Sequence, residues 1–277
     1  MENDSDKIWK YMDLAMFISL LSKRALLFRC PMEFEDPFEG YIPKAFAIDV
    51  ANKNKDELVR FESIRNNGLD FLKEKQNLLE NNPNGNAHLA VKTAYEKIEN
   101  IDSHINDIDN SLIDEIKRNA SNHGVNCWHK TDHESDAMWK LYSASGQGVA
   151  IESTIGQLKD SIQSHENLEI GSVVYLEENE SSKEHGKLGV LLWKRKSFEH
   201  EKELRAIIPL KTPKESIFIK CDLEKLINQI HISPLAKPYF IDIVEALCEG
   251  QITGLQKPIK RSTLLDKPDY RLKALWQ

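Results

Sequence analysis

Phe198-Glu199-His200-Glu201-Lys202-Glu203-Leu204-Arg205-Ala206-Ile207-Ile208-Pro209-Leu210 runs from a charged stretch straight into an apolar one. The apolar half predicts a strand from Leu204 to Leu210, ended near Pro213. In an extended chain alternate side chains share a face, so Glu201, Glu203 and Arg205 are expected to project together as a carboxylate pair and a guanidinium. A carboxylate beside an arginine stays ionised. Fixed at a strand start, it can bond a sugar hydroxyl and stabilise positive charge developing on the ring. The plain alternative is a solvated, charged strand edge carrying an Arg–Glu ion pair.

Other short strands surround this one. Ile8 to Met12, Ala25 to Cys30, Val125 to Trp128, Gly148 to Glu152, Ser172 to Tyr175, Ile217 to Cys221, Ile230 to Ile232 and Ile259 to Leu264 all read as extended segments. Helices fall between them. Leu14, Phe17, Leu20 and Leu21 have helical spacing, Ser135 or Asp136 caps a helix bearing Met138, Trp139 and Tyr142, and Thr154 and Asp222 cap two more. Pro238 to Leu247 completes the set. Short strands with scattered helices predict an α+β fold with a small mixed or antiparallel sheet, in one domain spanning 1–277.

Residues 52–121 differ. Ile98, Ile101, Ile105, Ile108 and Leu112 step by threes and fours, and Asn81-Asn82-Pro83-Asn84-Gly85-Asn86 interrupts the region. The pattern predicts an inserted hairpin of two long antiparallel helices, serving as a packing strut or as an arm that binds a regulatory protein.

Composition bounds the function. The 277 residues are 40% hydrophobic and 29% charged, which is enough apolar material for a core. The net charge of -7 argues against a protein that coats nucleic acid nonspecifically, while Lys23, Arg24 and Arg29 leave room for a basic cleft. No membrane span or signal peptide is expected. Cys30, Cys127, Cys221 and Cys248 form no C-x-x-C pair and predict buried thiols in a reducing cytoplasm. Phosphate-loop, dinucleotide-fold, zincin and nucleophile-elbow motifs are absent, and His129 and His133, beside Glu134, lie in a loop-like stretch that predicts no metal site.

Three further clusters carry candidate chemistry. Lys10 and Tyr11 with Arg29 could line a cleft, the cations meeting phosphate and the ring stacking on a base; a half-buried edge with snorkelling cations is the alternative. Phe34, Asp36, Pro37, Phe38 and Glu39 form a turn, with two phenylalanine anchors. Trp139 and Tyr142 share a helix face and wall either a ring-binding pocket or a core.

Taken in order, these clusters resemble a bacterial family known mainly as a domain of unknown function, whose members are scattered through mobile and phage-defence loci. Its F-x-D-P-F-E turn, M-W-x-x-Y helix, G-V-x-I strand and F-x-x-E-x-E-x-R segment are matched by Phe34–Glu39, Met138–Tyr142, Gly148–Ile151 and Phe198–Arg205. More weakly, the order of a basic-aromatic strand, a helix and a late E-x-E is similar to ADP-ribosyltransferases, although Lys10-Tyr11 stands where those enzymes carry H-G-T or R-S-T. That second resemblance implies NAD as substrate and a macromolecular acceptor, nucleic acid (RNA or DNA) or protein. It implies Glu203 as the carboxylate under the nicotinamide ribose, Glu201 orienting the acceptor and Arg205 fixing the pair. Lys10 and Arg29 would meet the pyrophosphate, and Tyr11, Trp139 or Tyr142 would stack on a ring. A toxin or defence effector follows, with an antitoxin or regulator on the 52–121 arm. The competing expectation is a non-catalytic interaction module in which E-x-E-x-R is an internal ion-pair network. A nucleotide or phosphodiester hydrolase using the acidic and histidine residues is a third, without a metal-ligand spacing to support it.

Overall fold

The computed structural model describes residues 2–36, 38–39, 55–81, 87–143, 146–162, 167–177, 179–180, 189–249 and 254–267. Pro37, Gly40 and the 82–86 interruption lie outside them, as do the side chains of Ile108 and Leu112. The chain divides into two compact units: Met1–Glu39 with Ala120–Tyr175 and Leu191–Gln277, and Gly40–Asn119 with Leu176–Val190.

In the first unit the order is β1 (Lys7–Asp13), α1 (Leu14–Lys23) and β2 (Ala25–Phe28). The second unit's long helices α2 (Lys55–Asn81) and α3 (Ala87–Ser121) come next in the chain. Then follow β3 (His123–Lys130), α4 (Asp136–Tyr142), β4 (Gly148–Thr154), α5 (Ile155–Ser161), β5 (Glu169–Ser172), β6 (Val174–Leu176), β7 (Trp193–Arg195) and β8 (Glu203–Pro209). The chain continues through β9 (Ile217–Lys220), α6 (Leu223–Leu226), β10 (Gln229–Ile232), α7 (Pro238–Glu249) and β11 (Ile259–Arg261).

The main sheet has seven strands in the order β11-β10-β4-β1-β3-β8-β5, and only β10–β11 is a parallel pair. The fold is therefore α+β with a mostly antiparallel sheet. Period-two alternation divides its faces. Ile8, Met12, Trp128, Val149, Ile151, Leu204 and Ala206 pack on one face with Phe17 of α1, Leu158 of α5 and Phe240 of α7. Trp9, Tyr11 and Ala150 face the other way and are covered by Met138 and Trp139 of α4.

Local chemistry explains the elements. The side chains of Asp13, Ser135, Thr154 and Asp222 each accept a backbone N–H at a helix start, satisfying donors the helix cannot pair itself. The strand expected over Ser172–Tyr175 is in fact broken. Val173 donates its N–H to the Glu203 carbonyl, while Val174 donates to Leu192, so the chain leaves the main sheet at that point and β6 pairs with β7 instead. Gly148 opens β4 because the chain passes so close to the end of α4 that a Cβ there would stand 2.0 Å from that of Ser143. Gly148→Ala is expected to destabilise the fold by about 1–3 kcal/mol through this overlap, read as a lower urea midpoint with an unchanged slope.

In the second unit α2 and α3 run antiparallel. Gln76 Nε2 donates to Tyr95 Oη at 2.8 Å, Arg65 pairs with Asp102, and a Cβ on Gly68 would meet Ile98. Leu72 and Ile98 are buried, and Ile101 and Ile105 of the expected seam are half-buried. No helix among the described residues is long and apolar enough to cross a membrane.

Candidate functional site

One row of residues crosses the sheet. Gln229, Glu152, Trp9, His129 and Glu203 stand side by side on β10, β4, β1, β3 and β8. Strands are spaced about 4.8 Å apart, so the backbones of Trp9 and Glu203 lie roughly 10 Å from each other despite their separation in sequence.

At the Glu203 end is a buried ionic cluster. Arg205 Nε and Nη2 donate to Glu203 Oε1 and Oε2 at 3.2 and 3.0 Å, Nη2 also to Glu39 Oε1 at 2.9 Å, and Nη1 to the Leu191 carbonyl at 2.8 Å. Lys194 on β7 sits 3.4 Å from both Glu39 Oε1 and Glu203 Oε2 and bonds Glu201 directly. The Arg205 side chain is 0% exposed, Glu39 2% and Glu203 7%. Burial alone would raise the Glu203 carboxyl, yet Arg205 and then Lys194 overcome it and hold the group at about 2. Burial would likewise lower Lys194, but Glu203, Glu201 and Glu39 keep it above the ordinary lysine value. The Cys127 thiol, cross-strand from Arg205, is pushed well up by burial and by Glu203.

The sequence expectation of a shared strand face holds for Glu203 and Arg205 and fails for Glu201. A 3-10 turn, Lys196–Glu201, precedes β8, and Lys202 at φ 41 reverses the chain between them. Glu201 reaches the cluster through Lys194, while its carbonyl accepts from or faces His129 Nδ1 according to the imidazole tautomer. Burial lowers the His129 pKa.

The N-terminal strand delivers its residues to two different faces. Tyr11 lies on the Glu203 face, but its ring is buried edge-on to Trp139 at 5.0 Å, and its hydroxyl accepts from Ser135 N–H at 2.8 Å. Trp139 is 3% exposed, its Nε1 donating to Glu134. Neither therefore offers a free ring face; both are packed with Trp9, Met138 and Ala150 in the cluster that covers this face of the sheet. Tyr142, one turn on, is 49% exposed and is the available ring. Burial, with Cys127, Glu201 and Glu203 nearby, pushes its phenol up to about 12.

Lys10 alternates onto the opposite face, over the Trp128 ring at 5.4 Å. Its ladder with β3 ends at Trp9, and its Nζ donates to the Cys127 carbonyl at 2.8 Å, wedged where the strands part. Burial drops it to about 8, against the pull of Cys127 and Glu203. Arg29 is exposed, donates to the Glu33 carbonyl at 3.0 Å and lies over the Phe34 ring, whose centre is also 6.0 Å from Arg205 Cζ. The expected cleft shared by Lys10, Tyr11 and Arg29 is thus not formed: strand alternation and backbone pairing hold the two cations elsewhere.

Sequence reading does not single out Lys194, nor Tyr175, whose hydroxyl accepts the Glu203 N–H at 2.7 Å. A lone lysine between Trp193 and Arg195 carries no signal until β7 is placed. Among the described residues no group of three or more His, Cys, Asp and Glu could hold a metal ion. No family model, no curated protein and no solved structure matches the chain.

The electrostatics predict an acid response. Glu134 is also held at about 2: burial would raise it, and hydrogen bonds with His231, Ser262 and Trp139 outweigh that. A carboxyl depressed in the folded state contributes stability that is complete above its unfolded pKa near 4.5 and is lost as pH falls towards 2. Each such group is worth on the order of 3 kcal/mol over that window. Urea midpoints should fall steeply from pH 5 to 2.5, and Glu134→Gln should flatten that slope.

Proposed function

We propose that the chain is an NAD-dependent ADP-ribosyltransferase, a toxin or phage-defence effector that moves ADP-ribose to a macromolecular acceptor. The observation that carries this reading is the Glu203 carboxylate. It is held ionised at the start of a late strand, lies two strands from the N-terminal strand, and is near enough to the half-exposed Tyr142 to raise its phenol. The reading is supported by the central β1 lying two strands from β8, since an ADP-ribosyltransferase-like sheet needs an early and a late strand near one NAD.

The chemistry asks little more of the protein. The bond between ribose C1′ and the nicotinamide nitrogen breaks, and its electron pair leaves with neutral nicotinamide. The sugar becomes an oxocarbenium ion, which an anion fixed in a dry site stabilises far better than water does. The acceptor's nucleophile then bonds C1′ and gives up its proton. Glu203 faces the developing charge, Glu201 orients the acceptor through the Lys194 bridge, and Arg205 positions Glu203 without touching substrate. Tyr142 stacks on a ring of NAD, with Trp139 and Tyr11 behind it. RNA, DNA and protein remain the acceptor classes, and the helical hairpin of α2 and α3 is the surface proposed for a regulator.

Full-length protein incubated with NAD labelled in its adenylate, together with total RNA, duplex DNA or cell protein, should release nicotinamide and label one acceptor class. Absence of both nicotinamide and label with every acceptor would overturn the reading.

One observation favours the non-catalytic module instead. All the described bonds of Arg205 are internal, as in a network that only holds β8, β7 and the Glu39 turn together. Under that reading Glu203 substitutions change stability and no NAD chemistry exists to lose.

A further inference from the structure

We propose that Phe38 and Arg195 form a nucleotide platform at the edge of the Glu203 cluster, the Phe38 ring stacking on the adenine base of NAD and the Arg195 guanidinium donating to its pyrophosphate. The assignment rests on the transferase reading and supplies holders for the half of NAD that it leaves unheld. Tyr142 offers one ring, while Lys10 and Arg29, expected at the pyrophosphate, are kept elsewhere by strand alternation and by their bonds to backbone carbonyls.

The F-x-D-P-F-E turn builds this platform. Two phenylalanine anchors are expected there, but only Phe34 packs inward, half-buried with its ring near Arg29 and Arg205. Phe38 is 56% exposed. Arg195 Cζ lies 4.6 Å from the centre of the Phe38 ring and 5.2 Å from that of Phe198, whose ring also carries Lys194 Nζ at 4.8 Å. One carboxylate oxygen pins both parts: Asp36 Oδ1 accepts the Phe38 N–H at 3.0 Å and an Arg195 Nη2 proton at 2.9 Å. The Asp36 side chain is itself 9% exposed, so this join is shielded. The next residue, Glu39, runs into the ionic cluster and bonds Arg205. Ring and guanidinium are thus positioned before a ligand arrives, which lowers the ordering cost of binding.

The two groups together select the ligand. A guanidinium carries five N–H donors and meets phosphate oxygens in pairs. Arg195 is about half exposed, and its bond to Asp36 is the one hydrogen bond its guanidinium makes among the described residues. Its other donors are open to an anion. The neighbouring acid Glu199 is paired with Lys196. A flat base stacks on the open surface of Phe38 whatever its sequence identity, because every base has a π-face. Inorganic phosphate has no ring for Phe38, and a free sugar has neither a flat ring nor an anion. A nucleoside diphosphate has both.

The test is calorimetric titration of the full-length protein with ADP, ribose 5-phosphate and adenosine, in wild type, Phe38→Ala, Phe38→Tyr and Arg195→Gln. ADP should bind the wild type, and Phe38→Ala about tenfold more weakly, the effect of one lost stacking contact. Phe38→Tyr keeps a ring and should bind ADP as the wild type does. Ribose 5-phosphate has no base and should not distinguish wild type from Phe38→Ala. Arg195→Gln should weaken ADP about tenfold and leave adenosine, which has no phosphate, unchanged. Equal ADP affinity in wild type and Phe38→Ala, or no ADP binding by the wild type, would overturn the proposal. So would Phe38-dependent binding of a single-stranded oligonucleotide without binding of ADP, which would give the platform to the acceptor. ADP has no nicotinamide to lose, so the two failures are distinct. ADP held on Phe38 with no nicotinamide release under any condition defeats the transferase reading, whereas nicotinamide release with ADP binding indifferent to Phe38 defeats only the platform.

Discussion

Arg205→Ala is expected to cost the fold about 3–5 kcal/mol, the usual penalty for removing one partner of a buried ion pair. Arg205 is fully enclosed, and its guanidinium satisfies Glu203, Glu39 and the Leu191 carbonyl at once. Without it two carboxylates face each other in a dry site with Lys194 as their shared cation, and Glu39 Oε2 already has no hydrogen bond. The control is Lys140→Ala. Lys140 also pairs with a carboxylate, Asp136, at 2.6 Å, but the two side chains are 73% and 44% exposed. Solvent screens that pair, so its loss should cost less than about 1 kcal/mol. Urea denaturation of the two variants checks the contrast. Equal costs would mean that the Arg205 cluster is solvated and does not hold β8 in place.

The second large effect is on chemistry. Glu203→Gln keeps the shape of the side chain and removes its charge. If the carboxylate acts on charge that exists only in the transition state, kcat should fall about 10²–10³-fold or more while KM changes little. Tyr142→Ala should do the reverse, raising KM through the lost ring contact with a smaller effect on kcat. Circular dichroism at the assay temperature separates both from unfolding, which matters for Glu203→Gln because Arg205 and Lys194 lose their main anion.

Much of this architecture was legible in the residues. Short apolar-rich runs marked β1, β3, β4 and β8, and Asp222, Thr154 and the Ser135-Asp136 pair announced their helices, because caps and apolar runs are local. The paired helices of 55–121 were legible for the same reason. Sheet order was not. That β3 lies between β1 and β8, bringing Trp9 and Glu203 into one row, depends on pairings between distant segments that no local pattern encodes. The E-x-E-x-R segment shows the boundary well. Glu203 and Arg205 obey strand alternation, whereas Glu201 sits on a turn that Lys202 closes with a left-handed backbone, a conformation lysine rarely signals. Tyr11, Trp139 and Tyr142 were each visible as a candidate stacking ring, but only packing shows the first two edge-on and enclosed, which leaves Tyr142 half-exposed. Lys194 stands alone in a short strand. Its partners come from other elements, so its role emerges only in three dimensions.

The central claim is that the anion at Glu203 promotes departure of nicotinamide from NAD. Nicotinamide release, followed by chromatography in the presence of the acceptor that takes label, tests it most directly when wild type and folded Glu203→Gln are compared side by side. The account predicts steady release by the wild type and release at least about 100-fold slower by the variant. Equal rates in the two proteins, or no release by the wild type with any acceptor, would contradict it.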